Sequence, residues 1–191
     1  MEINIYVANL GKYNEGELVG DWISLPATQD ELNELFVKIK LGYFDEDGEY
    51  QHGFTEFDPQ YGHDFFYEEF AIHDYEAPFK INEYDSIDKL NEYAEALVNA
   101  DIDEDVFEAI CDCTSTMEEA LEVISNEDYR IWDECNDMSD VAYYYYEETG
   151  LMTEIPSAIQ NYIDWDAVGR DMEIEGNYAR AGHKVYVEVF R

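Results

Sequence analysis

Basic side chains are scarce in this sequence: 10 Lys and Arg stand against 47 Asp and Glu, a formal net charge of −37 on 191 residues. A surface of that sign repels nucleic acid and acidic membranes, so neither is expected as a direct partner. Cysteine is also sparse. Cys111, Cys113 and Cys135 are odd in number and lack CxxC spacing. That argues against a disulfide framework and a structural zinc site, and predicts reduced, partly buried thiols. No apolar run approaches the ~20 residues of a membrane span, and Met1 to Leu10 carries no basic leader pattern. A soluble, cytoplasmic protein is the expectation.

Signatures of catalysis are missing as well. Gly11-Lys12 lacks the glycine pattern and the following Ser or Thr of a phosphate loop. His63 beside Asp64 and His73 beside Asp74 have no matched nucleophile or GxSxG elbow, and read as structural. A calcium loop needs oxygen ligands at positions 1, 3, 5 and 12 with glycine at 6. Asp101, Asp103, Asp105 and Asp112 meet the ligand positions, but Val106 occupies the turn; around Asp45, Asp47 and Gly48 the first ligand would be Tyr43. Carboxylate pairs of glycosidase type are inevitable among so many acids and carry no information. No cofactor, metal or enzymatic activity is expected.

What the sequence does contain is apolar material, 46% hydrophobic and 16% aromatic, far more than a disordered polyanion holds. The chain should fold, and a halophile-type enzyme, which asks only for a charged coat, does not explain the aromatic load. Packed as a sphere it would be roughly 40 Å across. Matching duplex DNA charge for charge needs instead a rod of about 60 Å, which three small domains in a row would span.

Local patterns give an α+β expectation. Ile3, Ile5 and Val7 alternate as a strand; a polar loop Asn9 to Gly16 and a second strand, Val19 to Leu25, follow. Thr28 and Glu31 form a capping box ahead of Leu32, Leu35, Phe36 and Ile39 at helical spacing. Gly42 to His63, rich in glycine and aromatics, reads as loop and irregular hairpin, an insertion covering about 43–66. Ser86 caps a helix with Ile87, Leu90, Ala94 and Leu97 on one face, and Ser115 with Glu118 starts another carrying Met117, Leu121 and Ile124. Ser139 opens a helix through Tyr143 to Tyr146 that Gly150 ends, Ile155, Ile159, Tyr162 and Ile163 space out the next, and Val185, Val187 and Val189 mark a final strand after a turn at Arg180 to His183. Three domains result: α+β over 1–84, helical over 85–128 and α+β over 129–191.

The acid is unevenly spread. Residues 85–128 hold 15 acids and one base, whereas 129–191 hold 13 acids and 5 bases. Two copies meet with least repulsion through the last third. The Tyr143 to Tyr146 run, followed by Glu147 and Glu148, suits packing rather than a base-stacking platform, which would need a cationic groove.

Several blocks carry a family resemblance: YVANLGKYNEGELVGDWISLP (Tyr6 to Pro26), YEEFAIHDYEAPF (Tyr67 to Phe79), DVAYYYYEETG (Asp140 to Gly150) and LMTEIPSAIQNYIDW (Leu151 to Trp165), with GRDM from Gly169. In order and length they resemble the ArdA antirestriction proteins. The stretch Gly42 to Phe66 departs from the family by being longer. The resemblance implies a homodimer of elongated, three-domain chains that inhibits type I restriction-modification enzymes, on their methyltransferase and specificity subunits, by DNA mimicry, protecting mobile genetic elements. It places the family's antirestriction motif, and with it a dimer interface, at Leu151, Ile155, Pro156, Ile159, Asn161, Tyr162, Ile163, Asp164 and Trp165. Carboxylates expected to stand in for phosphates are Glu31, Glu34, Glu92, Glu95, Asp101, Asp103, Glu104, Asp105, Glu118, Glu119 and Glu122. Two other classes use the same acidity: a chaperone or binder of basic nucleic-acid-binding proteins, and an acid-rich hydrolase with one essential carboxylate pair.

Overall fold

A computed structural model describes residues 1–190, which are organised as an α+β protein in two compact units, the first over 1–99 and the second from residue 100 onward. The break falls inside the segment 85–128, so its first helix belongs to one unit and the other two to the next.

In the first unit the elements are β1 (Ile3–Asn9), α1 (Leu10–Asn14), β2 (Gly20–Leu25), α2 (Gln29–Lys38), β3 (Gly42–Phe44) and β4 (Tyr50–His52). They continue with β5 (Phe54–Asp58), β6 (His63–Tyr67), β7 (Phe70–Glu76) and α3 (Ile87–Ala100). An antiparallel sheet of order β2-β1-β7 puts β1 in the centre, and β3–β4 and β5–β6 are separate two-stranded hairpins. Ile3, Ile5 and Val7 are buried as their alternation requires, and Leu32, Leu35 and Ile39 of the α2 region join them in the core. The α2 cap forms as expected: Glu31 N–H donates to Thr28 Oγ1 at 3.3 Å, while Thr28 N–H donates back to Glu31 at 2.8 Å. On α3, Ile87, Leu90, Ala94 and Leu97 are all buried. Asn91 pins this helix by exchanging two hydrogen bonds with the Ala27 backbone, at 2.6 and 3.0 Å.

Two expectations change here. The polar segment after β1 is not a loop but α1, because buried Asn9 accepts from Lys12 N–H at 3.0 Å and caps a turn. Asn9 also donates to Ile39 O and Lys40 O, tying β1 to the end of α2. The glycine-rich insertion is more regular than its composition suggested, since cross-strand aromatic pairs in β3–β6 supply the order that glycine withholds.

The second unit holds α4 (Glu104–Cys113), α5 (Met117–Ser125), β8 (Tyr129–Trp132), α6 (Met138–Glu148), α7 (Ser157–Gln160), α8 (Trp165–Glu175), β9 (Tyr178–Arg180) and β10 (Tyr186–Val189). Its antiparallel sheet has the order β8-β10-β9, with α4 packed on β9 and β10. Trp132, Cys135, Met138, Val141 and Tyr186 form a core cluster, bordered by Tyr145, Met172 and Tyr178. Glu188 lies among these rings but is satisfied, accepting from Trp132 Nε1 at 3.2 Å and Tyr178 Oη at 2.8 Å.

The α5 cap is displaced by one residue from expectation. Thr116, not Ser115, receives Glu119 N–H, and the Glu119 carboxylate accepts from Ser115 N–H instead. The long helix expected through Ile155 to Ile163 is replaced by a 3-10 turn, Leu151–Glu154, and the four-residue α7. Pro156 is the cause. It has no N–H to donate and holds Ile155 extended, at φ −89° and ψ 125°. Strands β7, β8 and β9 and helices α4 and α8 have no counterpart among the elements expected from sequence; the turn before β10 matches its expectation.

Candidate functional site

Most cations described in this chain are occupied internally. Lys12 is only 6% exposed, and its ammonium lies 2.7 Å from Glu56, 3.3 Å from Glu15 and 3.7 Å from Glu17, over the ring of Tyr67. Burial opposes its charge, but hydrogen bonding to Glu56, Tyr67 and Glu15 outweighs that and holds its pKa far above the ordinary lysine value. Lys40 shares Glu56 at 2.6 Å, and Lys38 pairs with Asp21. Lys89 lies over Tyr93, Arg130 over Trp132 and Phe190, and Arg180 over Tyr186. Few positive charges are left to oppose the carboxylates outside.

Those carboxylates are displayed by amphipathic helices. On α2, Leu32 and Leu35 face inward while Glu31 and Glu34 are exposed on the opposite side. Glu31 stays ionised to lower pH than an ordinary glutamate, because the Thr28 N–H and hydroxyl donate to it. On α3, Glu92 and Glu95 are exposed, and Asp88, absent from the sequence-based set, continues their row at i, i+4, i+7. Asp101, Asp103, Glu104 and Asp105 are exposed at the start of α4, where buried Val106, Phe107, Ala109 and Ile110 fix the opposite face. Glu108 and Asp112 extend that row and were also missed, although helical spacing alone would have found them. Glu118, Glu119 and Glu122 are the exposed face of α5.

Within each unit the fold gathers some of these acids. An open groove of about 370 Å³ is lined by Asp21, Trp22, Glu31, Glu34 and Lys38. In the second unit a groove of about 400 Å³ has Asp103, Glu104, Asp105 and Asp133 around Val106 and Ile131. A third, of about 310 Å³, joins Glu119 and Glu122 to Asp128 and Phe190. Glu104 to Asp112 carries four carboxylates over eight helical steps, about 12 Å, close to the one charge per ~3.4 Å of a single DNA strand. No group of metal-ligating side chains occurs among the described residues, and no helix is long and apolar enough to cross a membrane.

The C-terminal motif residues divide into anchors and exposed positions. Trp165 packs edge-on against Tyr143 and Tyr146 at 5.5 and 5.4 Å, and Asp164 caps α8 by accepting from Ala167 N–H at 3.1 Å. Gln160 closes the preceding loop by donating to Met152 O and Ile155 O. Leu151, Ile155 and Ile163 are half-buried, whereas Pro156, Ile159, Asn161 and Tyr162 are exposed, Tyr162 by 85%. Cys135 is buried and Cys111 half-buried; burial first, then adjacent carboxylates, push both thiols up to about 11, which leaves them unreactive.

Compared with known families, residues 5–187 match the family model described as antirestriction protein (ArdA). No curated protein matches the sequence.

Proposed function

This chain belongs to the ArdA antirestriction protein family, and on that premise we propose that it is a non-catalytic DNA mimic that occupies the DNA-binding groove of type I restriction-modification enzymes. The observation that carries the proposal is the separation of charge: most cations are held by the chain's own carboxylates or aromatic rings, while the acids of α2, α3, α4 and α5 face solvent in helical rows. Lys and Arg side chains that hold phosphates in such a groove would meet carboxylates at comparable linear density. Each contact is worth about 0–1 kcal/mol, so affinity comes from their number.

The exposed apolar side chains Ile159 and Tyr162, together with the lower charge of the last third, support homodimerisation through the Leu151 to Trp165 region. A binder of basic proteins in general would need the same charge but would not discriminate a DNA groove from other cationic surfaces. The test is cleavage of unmodified DNA by a purified type I enzyme with increasing amounts of the chain. Inhibition that excess duplex DNA relieves supports the proposal; undiminished cleavage at saturating chain refutes it.

A further inference from the structure

The hairpin β5–β6 has two chemically different faces. Its register runs from Phe54 opposite Tyr67 to Asp58 opposite His63, so alternation places Phe54, Glu56, Asp58, His63, Phe65 and Tyr67 on one side. That side is anchored, since Tyr67 is buried and Glu56 binds Lys12 and Lys40. Thr55, Phe57, Asp64 and Phe66 share the other side, and all four are exposed, Phe57 by 60% and Phe66 by 59%. Phe57 stands directly across from Asp64, and Phe66 is two residues along the same strand as Asp64. One carboxylate is therefore flanked by two rings on a single face. Phe66 leans over Gly53, where an added Cβ would lie 2.3 Å from the ring, so the absence of a side chain there is what seats it. Among the described residues, neither ring packs on another aromatic side chain, and the Asp64 carboxylate has no hydrogen bond or ion pair.

We propose that this outer face docks arginine side chains of a cationic protein partner, the guanidinium stacking on Phe57 or Phe66 and pairing with Asp64. Arginine fits better than lysine because its planar, weakly hydrated cation stacks on a ring face while donating to a carboxylate. A second copy of the chain does not fit: two such faces would bring together Asp64, Glu68 and Glu69 of both copies with no basic side chain among Thr55, Phe57, Asp64 and Phe66 to offset them. Nucleic acid does not fit either, since base-stacking platforms lie in cationic grooves. The proposal rests on the preceding one in a single respect, that the partner is a basic protein surface. It adds a recognition element that phosphate mimicry by carboxylates lacks.

The test uses the full chain with a short oligo-arginine peptide and an oligo-lysine peptide of equal length. Wild type should bind oligo-arginine more tightly. In the Phe57→Leu, Phe66→Leu double variant, which keeps an apolar face, that preference should fall by about 2- to 5-fold for each ring used, with oligo-lysine affinity falling less than oligo-arginine affinity. A Phe57→Tyr, Phe66→Tyr variant, which keeps the ring faces, should retain it. An arginine-to-lysine ratio identical in wild type and the leucine variant overturns the proposal while leaving the cationic-partner reading intact. Failure of both peptides to bind wild type overturns both readings.

Discussion

Burying an ammonium costs several kcal/mol unless carboxylates surround it, and around Lys12 the fold supplies Glu56, Glu15 and Glu17. Sequence offers Lys12 only as a failed phosphate loop, because its shortest ion pair is with Glu56, 44 residues away, and only the return of β5 brings the two together. The local cap at Thr28 and Glu31, by contrast, needed no tertiary information and was legible at once. Hydrogen bonds from Lys12 and then Lys40 hold the Glu56 carboxyl below its ordinary 4.5. A carboxylate whose folded pKa is depressed contributes stability that is complete above its unfolded value and lost as pH falls through the folded one. Glu56→Gln should therefore lower stability at neutral pH. Because Glu56 is partly exposed and Lys12 keeps two other carboxylates, the loss should be about 1–2 kcal/mol rather than the 3–5 of a broken buried pair. Urea unfolding should show the gap between wild type and variant closing as pH drops well below 4.5; a gap independent of pH would exclude this role for Glu56.

At the scale of elements, the helices whose apolar spacing follows a clear cap, α2, α3 and α5, were readable, whereas α4, α8 and the strands that gain order from their neighbours were not. β9 has three residues and β8 four, too few for alternation to register, and both exist because β10 pairs with each. The helix expected over Ile155 to Ile163 does not form for a reason visible in sequence, Pro156, which interrupts it one residue in. The packing of α8 on α6 hinges on a residue whose importance no pattern reveals. A Cβ on Gly169 would stand 2.4 Å from Met138 O and 2.5 Å from Met138 C, backbone atoms that cannot turn aside. Alanine gains about 1 kcal/mol of helix propensity over glycine, but overpacking of this kind costs about 1–3 kcal/mol and here meets backbone rather than a yielding side chain. Gly169→Ala should thus lower the melting temperature. A rise in Tm would mean that α6 and α8 separate at little cost.

For the whole molecule, the fold class and the exposed position of every carboxylate proposed as a phosphate substitute followed from sequence, because amphipathic periodicity and net charge are one-dimensional properties. Grouping into grooves with Asp133 or Asp128 was not legible, since it depends on β8 and the turn before it. If inhibition is a sum of modest contacts, Glu95→Gln or Glu122→Gln alone should weaken it by less than about 5-fold, and combined neutralisation of Glu92, Glu95, Asp105 and Glu122 by far more. Abolition by one such change, measured as the inhibitory concentration in a cleavage assay, would indicate a sharply local site instead. Ile159→Asp should shift sedimentation toward a monomer, as an unpaired charge in an apolar interface costs several kcal/mol; an unchanged sedimentation coefficient would remove this region from the proposed interface. The central claim is mimicry, and a competition titration of a type I methyltransferase core with duplex DNA and the inhibitor, across a salt series, tests it most directly. DNA binding should weaken with a slope of about −0.9 in log affinity per phosphate contact. Carboxylates on a folded surface condense fewer counterions, so the inhibitor should exclude DNA, weaken less steeply, and gain relative advantage as salt rises. A ternary complex with DNA still in the groove, or an inhibitor affinity insensitive to salt, would contradict the account.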